Sequence, residues 1–265
     1  MKSYGLESVR NQYEEYPYPR YSRSDVGMTA DWLKERGLQG RNVIDVGCGT
    51  GLWSIAFAMN GLHVTGVDFS RASLAEAAKM AQECGVSVAF RRADLFSFET
   101  SERFELVFCN GVLHHTANAR DGFHRIGRLV ERGGLLATSL YNRLSPFRLA
   151  KFLVRGFGRE NIEARKLVAK TVVDLPFSTA ILAFSGRSQP GPSSSVREYL
   201  SRDENLVDLL CHAHTSYHTA WEVKQWYLDE GFQFITTYPS GSISAAILPN
   251  LIFYLGRRPG SLPLS

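Results

Sequence analysis

Residues 43–51, Val-Ile-Asp-Val-Gly-Cys-Gly-Thr-Gly, decide the fold class of this chain. A short apolar strand that contains the acidic Asp45 runs directly into a glycine-rich turn, and an apolar helix follows the turn. Glycine recurs there at three alternate positions, Gly47, Gly49 and Gly51. Side chains at these positions would fill the space above the carboxyl end of a parallel sheet, where an open α/β sheet receives its ligand.

The spacing of these glycines distinguishes between classes of nucleotide ligand. The dinucleotide pattern Gly-x-Gly-x-x-Gly requires a glycine at position 52, and this chain has Leu52 there. The turn therefore argues against a nicotinamide dinucleotide and favours a different nucleoside.

Beyond this turn, short apolar runs alternate with helical patterns, which predicts βαβ units and a parallel sheet. Strands are predicted over 42–46, 63–67, 86–91, 104–109 and 135–141, helices over 52–60, 71–83, 117–130 and 220–230, and a terminal hairpin over 232–237 and 251–255. The expected fold class is α/β: a Rossmann-like, mostly parallel seven-stranded sheet with helices on both faces, an antiparallel last strand and a helical insertion after strand five.

The composition limits the function classes. With 265 residues, 44% of them hydrophobic, the chain supports one large domain or one domain with an insertion. The net charge is only +4 and no dense Lys/Arg tract accompanies it, so nucleic acid is not the expected partner. The longest apolar stretch, residues 243–255, is interrupted by polar residues and a proline and is too short to span a bilayer.

The cysteines and the amino-terminal stretch indicate a compartment. None of the four cysteines, Cys48, Cys84, Cys109 and Cys211, forms a Cys-x-x-Cys pair or has the histidine spacing of a zinc site, which is typical of free thiols in a reducing compartment. The first residues are polar and acidic, unlike a signal peptide. We therefore expect a cytoplasmic protein with no structural metal.

Two further acids follow the ends of the next predicted strands. Asp68 ends the second strand, and Asp94 follows the third. A carboxylate at the first position suits a ribose diol, because it can accept hydrogen bonds from both hydroxyls. Asp94 taken alone is equally explained by an Asx turn.

Together with the stretch Asn-Gly-Val-Leu-His-His at 110–115 and a Gly-Gly turn before the fifth strand, these motifs make the sequence resemble the class I S-adenosylmethionine-dependent methyltransferases. The resemblance implies S-adenosyl-L-methionine as methyl donor and S-adenosyl-L-homocysteine as product. It implies that Asp68 binds the ribose of the donor, and that Asp94 and the Leu95 N–H bind its adenine. The donor contacts that it implies in full are Asp45, Gly47, Gly49, Gly51, Asp68, Asp94, Leu95 and Asn110.

The amino-terminal stretch is rich in tyrosine, and members of the resembled family often fold such a segment over the donor as a lid. Aromatic faces can contact a sulfonium cation and exclude water. A surface arm that packs its rings on the core is the alternative. Tyr13 is the expected donor contact in this segment, with Arg20 as a partner for the methionine carboxylate.

Histidines are the candidate catalytic groups. His115 follows the fourth strand where a methyl acceptor would approach, and histidine is a suitable general base for an OH or NH acceptor. A second group, His212, His214 and His218, closes the insertion, and His214 is the candidate there. We expect this group to line the substrate pocket and to bind no metal. A metal site and plain loop residues are the alternatives.

The expected organisation has three parts: an arm or lid over 1–40, a donor-binding domain over 41–142 and 219–265, and a helical cap over 143–218 that forms the acceptor site. The leading hypothesis is methyl transfer to an oxygen, nitrogen or carbon of a small molecule. The alternatives are an RNA methyltransferase that uses the basic residues of the insertion, and a donor-binding module without transfer activity.

Overall fold

The computed structural model describes residues 7, 9, 11, 13, 14, 21–35, 42–145, 148, 152, 162–174, 214–238 and 251–260. The strands in chain order are β1 (Asn42–Val46), β2 (His63–Asp68), β3 (Ala89–Arg92), β4 (Phe104–Cys109), β5 (Val130–Tyr141), β6 (Gln233–Tyr238) and β7 (Leu251–Arg257). The α-helices are α1 (Arg23–Glu35), α2 (Leu52–Met59), α3 (Arg71–Glu83), α4 (Ala119–Gly127), α5 (Ile162–Asp174) and α6 (Ala220–Asp229).

The seven strands form one sheet in the order β3-β2-β1-β4-β5-β7-β6. Strands β1 to β5 pair in parallel, and β7 runs antiparallel to both β5 and β6. The predicted α/β class, the mixed seven-stranded sheet, the antiparallel last strand and the terminal hairpin are confirmed. Because the order reverses at β1 and β4, the carboxyl ends of these two strands border the crevice where such sheets bind ligands.

Helices cover both faces of the sheet, as predicted. Neighbouring residues of a strand point to opposite faces, so Val43 packs with α1, α2 and α3 while Ile44 packs with α4 and α6. The same alternation occurs in β4, where Leu106 packs on the same face as Val43 and Val107 packs on the same face as Ile44. Strands buried on both faces explain the continuous apolar runs of the sequence.

Helix α1 was not predicted, and it enlarges the core before residue 41. Its side chains Val26, Ala30 and Leu33 are buried against α2, and the indole of Trp32 meets Trp53 edge-on with ring centroids 5.8 Å apart. The sequence of this helix is amphipathic, but the tyrosine-rich stretch just before it favoured an arm over the whole of residues 1–40.

Strand β5 begins earlier than predicted, and the helix before it ends earlier. Asn118 caps α4 by accepting the Asp121 N–H at 3.1 Å, and the helix ends at Gly127. Phe104 N–H then donates to the Leu129 carbonyl at 2.9 Å, which draws the chain into the sheet. The register shift between Phe104 and Leu106 follows, so the Gly133-Gly134 pair lies inside β5 as an irregularity instead of preceding it.

The predicted helical insertion falls mostly outside the described residues. Between 146 and 213 the description covers α5 and the single residues 148 and 152, so the remaining helices predicted there and His212 are not described. No helix in the described part of the chain is long and apolar enough to cross a membrane.

Candidate functional site

A cavity opens at the carboxyl ends of β1, β2 and β4. Most of the residues that the sequence analysis singled out line it: Tyr13, Gly47, Gly49, Asp68, Asp94, Leu95, Asn110 and His115. The structure therefore brings together residues that are up to about a hundred positions apart in the chain, at the edge of the sheet where the parallel strands end.

The glycine turn forms one wall of the cavity. Its three glycines have positive φ angles, 76° at Gly47, 54° at Gly49 and 87° at Gly51, which side-chain-bearing residues rarely adopt. The N–H groups of Gly47 and Cys48 both donate to the Val67 carbonyl, at 2.7 and 3.0 Å, and tie the turn to β2. A Cβ at Gly47 would collide with the Val112 side chain, so the turn and the segment after β4 approach as closely as a glycine allows.

Asp68 connects the glycine turn to the next helix. Its Oδ2 accepts the Gly49 N–H at 2.9 Å, and its Oδ1 accepts the Ser70 N–H at 2.8 Å. Burial raises the pKa of this carboxyl above its ordinary value, and the backbone N–H groups that it accepts from oppose that rise. A carboxylate oxygen has two lone pairs, so each oxygen can still accept a ligand hydroxyl.

Asp94 sits in a tight turn after β3. Its Oδ1 accepts the Phe96 N–H at 2.8 Å, which is the Asx turn that the sequence left open as an alternative. The same residue lines the cavity with Leu95 and Phe96, so the turn shapes a cavity wall as well as the chain. Phe96 was not predicted as a site residue, although an aromatic residue two positions after Asp94 was a usable signal.

Two predicted donor contacts, Asp45 and Gly51, do not line the cavity. Asp45 is buried beneath the turn and accepts the Ser54 hydroxyl at 2.6 Å. Burial raises its pKa from 3.8 to about 7, with the nearby Asp68 charge adding to the rise and the Ser54 hydrogen bond opposing it. A Cβ at Gly51 would lie 2.9 Å from Ala77 Cβ, so this glycine allows α2 to pack against α3.

The histidine pair after β4 lies in a short 3-10 turn, Leu113–His115, and both rings are buried. His115 lines the cavity, and its Nδ1 lies 2.9 Å from the His214 carbonyl oxygen. Since a carbonyl can only accept, Nδ1 carries the proton, and in the neutral ring the other nitrogen, Nε2, can accept one. His214 thus contributes its backbone to the site, whereas its side chain was the predicted contribution and does not line the cavity.

The segment 214–218 ties the histidine turn to the end of β5. Ser216 N–H donates to the His114 carbonyl at 2.7 Å, and His218 N–H donates to the Tyr141 carbonyl at 2.9 Å. The His114 and Tyr141 rings stack with centroids 3.8 Å apart. His218 pairs through Nδ1 with Glu222 at 2.9 Å. Among the residues that the structure describes, no three potential ligands are grouped as a metal site would require.

The described residues of the amino-terminal arm contribute to the lining of the cavity. Val9, Tyr13 and Tyr21 line it, and the Tyr13 ring meets Phe69 edge-on at 6.0 Å. The Glu14 carboxylate accepts the Arg71 N–H at the start of α3, at 3.4 Å. Arg20, the predicted partner of a carboxylate, lies outside the described residues.

Comparison with known protein families identifies part of this architecture. The methyltransferase domain family matches residues 43–134, which include β1 to β4 and the beginning of β5. The ubiquinone biosynthesis O-methyltransferase of Pseudomonas fluorescens is 38% identical over 119 residues, 44% of this chain and 51% of that protein. The enzyme of the same name from Alkalilimnicola ehrlichii is 39% identical over 109 residues, 40% of this chain and 44% of its own. This chain spans about half the length of these curated relatives.

Among solved structures, magnesium protoporphyrin IX methyltransferase from Synechocystis PCC 6803 with bound SAM superposes with a TM-score of 0.56. The match covers 96% of this chain and 97% of that protein at 17% sequence identity. At this identity the likeness concerns the fold.

Proposed function

We propose that the protein is an S-adenosylmethionine-dependent methyltransferase acting on a small molecule, a proposal supported by the match of residues 43–134 to the methyltransferase domain family. The observation that carries the proposal is the cavity at the carboxyl ends of the strands, one wall of which is the glycine turn. It brings Asp68, Asp94 and Asn110 together at the three strand ends where the sequence motifs place the donor.

The residues present fit the donor. Gly47 and Val112 approach each other so closely that the glycine turn and the segment after β4 form a continuous wall of the cavity, against which the donor would lie. Asp68 would accept the ribose hydroxyls, and Asp94 with the Leu95 N–H would bind the adenine edge. Tyr13 would lie over the donor from the arm side, with Asn110 beside its methionine half. Asp45 and Gly51 would act through the shape of the turn.

S-adenosyl-L-methionine, when bound, supplies an electrophilic methyl group on a positively charged sulfur. The protein has to align the acceptor with that group, keep water out and remove the acceptor proton. The arm residues Val9, Tyr13 and Tyr21 would exclude water from the cavity. His115 Nε2 would take the acceptor proton, since Nδ1 is held by the His214 carbonyl.

An oxygen acceptor on a small molecule is the proposed substrate class, supported by the names of the curated relatives. Two described basic residues of the insertion are paired with carboxylates: Arg143 lies 3.4 Å from Glu222, and Lys166 lies 2.8 Å from Glu163. These pairs give the RNA methyltransferase alternative no support. We place the reaction in the cytoplasm, which the free thiols of Cys48, Cys84 and Cys109 support.

Incubation with radiolabelled donor and a metabolite extract tests the proposal. We expect label in a small product with the wild-type protein and none with Asp68→Ala. Label in RNA or protein would show that the methyl acceptor is a macromolecule and would overturn the proposed small-molecule acceptor. Tight binding of S-adenosyl-L-homocysteine with no labelled product from any extract would favour a donor-binding module without transfer activity.

A further inference from the structure

A serine on β5, Ser139, holds the side chain of a cavity residue in one orientation. Ser139 is completely buried, and its Oγ lies 2.6 Å from Oδ1 of Asn110, which lines the cavity after β4. The same Oγ accepts the Gly111 N–H at 2.8 Å. The match to the methyltransferase domain family ends at residue 134, before Ser139.

The hydrogen bonds determine which end of the Asn110 amide faces Ser139. A hydroxyl has one proton to donate, and the Gly111 N–H already occupies an acceptor position on Oγ. The Ser139 proton is therefore available for Asn110, and a separation of 2.6 Å has the length of an O–H···O hydrogen bond. With Oδ1 engaged in this way, Nδ2 is the polar end of the amide that remains for the cavity. The described hydrogen bonds include none from Nδ2.

An amide NH₂ only donates, so it selects a ligand atom that accepts. Asp68 and Asp94 lie at the ends of the strands on one side of β1, toward β2 and β3, and suit the nucleoside. Asn110 follows β4, on the other side of β1, and so lies toward the amino-acid half of the donor. In that half the sulfonium and the ammonium offer no acceptor, whereas the carboxylate does.

We propose that Ser139 is a positioning residue that orients the Asn110 amide to bind the carboxylate of the donor. The inference rests on the proposed function, because it assumes that S-adenosyl-L-methionine occupies the cavity. Ser139 does not touch the ligand: it fixes Oδ1 so that Nδ2 donates toward the carboxylate. Without the serine hydroxyl, the amide can rotate and turn its oxygen toward the donor carboxylate. Both groups only accept hydrogen bonds, so they would repel each other.

The test measures affinity by calorimetry for two probes, S-adenosyl-L-homocysteine and its decarboxylated form. In Ser139→Ala we expect the affinity for the first probe to fall about tenfold, the scale of one hydrogen bond to a charged group, and the affinity for the second to stay unchanged. Thr138→Val is the matched control. Thr138 is the neighbouring residue of β5 and its hydroxyl pairs with the Tyr227 hydroxyl at 3.0 Å, so its loss should lower the melting temperature without changing either affinity.

A double-mutant cycle with Asn110→Ala separates orientation from displacement of the loop, because Ser139→Ala also removes the acceptor of the Gly111 N–H. If Ser139 acts through Asn110, its loss has no further effect in the Asn110→Ala background. Equal weakening of both probes, or an undiminished effect in that background, overturns the inference. Unchanged affinity for S-adenosyl-L-homocysteine in Ser139→Ala also overturns it and leaves the proposed function intact. If the wild-type protein binds neither probe, the proposed function fails as well.

Discussion

The Asp68 carboxylate accepts the backbone N–H of Gly49 at 2.9 Å, and this bond joins the end of β2 to the glycine turn that follows β1. The second oxygen of Asp68 accepts the Ser70 N–H at the start of α3, at 2.8 Å. One side chain thus holds two walls of the cavity together and also faces the place proposed for the donor ribose.

Asp68→Ala should weaken binding of S-adenosyl-L-homocysteine by about 1.5 to 3 kcal/mol, because hydrogen bonds to a charged acceptor are lost. Calorimetry measures the change. Asp121→Ala is the control, since that carboxylate pairs with Arg125 on the protein surface, at 3.3 Å, and its loss should leave the affinity unchanged. An unaltered dissociation constant in a folded Asp68→Ala protein would remove Asp68 from the donor site.

Asp45 should make the stability of the protein depend on pH. Burial raises its pKa from 3.8 to about 7 in the folded state, so the folded protein holds this proton more tightly than the unfolded chain. The resulting stabilisation is complete below about pH 4 and is lost as the pH rises toward 7. Relative to Asp45→Asn, the free energy of unfolding of the wild type should therefore fall, on the order of 4 kcal/mol, between about pH 4 and 8.

Denaturant unfolding of both proteins across this pH range measures the difference. Because Asp68 titrates in both proteins, most of its own contribution cancels in the comparison. A wild-type minus Asp45→Asn difference that stays flat, or that rises with pH, would show that the pKa of Asp45 is not raised in the folded protein.

Gly51→Ala should lower the stability more than an alanine at another left-handed glycine. The new Cβ would lie 2.9 Å from Ala77 Cβ between α2 and α3, in addition to the cost of a positive φ. Gly61→Ala is the matched control, with φ 80° and nothing within 4 Å of its added Cβ. We expect a loss of about 1 kcal/mol at Gly61 from the backbone conformation and about 1 to 3 kcal/mol more at Gly51 from overpacking. Equal losses in thermal or denaturant unfolding would mean that α2 and α3 separate without cost.

His115→Ala should spare donor binding and lower turnover by about 100-fold or more, as expected when a general base is removed. The measurements are the S-adenosyl-L-homocysteine affinity and kcat once an acceptor is identified. His124→Ala serves as the control, because His124 is an exposed histidine that pairs with Glu230 at 2.9 Å. Turnover that stays near the wild-type rate in His115→Ala, at every pH measured, would exclude a base at this position.

Removal of residues 1–21 should weaken donor binding and leave the fold intact, because α1 begins at Arg23 and retains its packing on α2. Hydrogen exchange of the full chain, with and without S-adenosyl-L-homocysteine, should show increased protection in residues 11–21 and 110–115. Equally fast exchange of the arm in both states would make it a surface segment, which is the alternative left open by its sequence.

The parts of the fold that were predicted correctly are those with a strong local pattern. The glycine turn, the helix over 71–83 and the buried strands each have a local cause; in the helix, the Ser70 side chain caps the first turn by accepting the Ser73 N–H at 3.2 Å. The start of β5 was not predictable in this way, since it depends on pairing with Phe104, far back in the chain. Helix α1 also has a local pattern, an amphipathic one, but the tyrosine-rich stretch before it favoured the prediction of an arm over the whole segment.

The site shows the same division between local and distant causes. Motif residues could be assigned to one edge of the sheet because the ends of parallel strands meet there. The motif could not distinguish Asp45, beneath the turn, from Asp68, beside the cavity, because both are acids at strand ends. His214 was proposed for its side chain, but its backbone carbonyl makes the contact with His115, and backbone contacts leave no trace in residue type.

The position of Trp53 gives this protein an optical signal of its own. Trp53 lines the cavity, and its indole packs against Phe108 with ring centroids 5.1 Å apart and against Trp32. The chain has four tryptophans: Trp32, Trp53, Trp221 and Trp226. Trp53 alone among them lines the cavity, so a ligand that enters the cavity should alter its fluorescence directly. Ligand occupancy can thus be followed in the unlabelled protein, and Trp53→Phe should abolish the response.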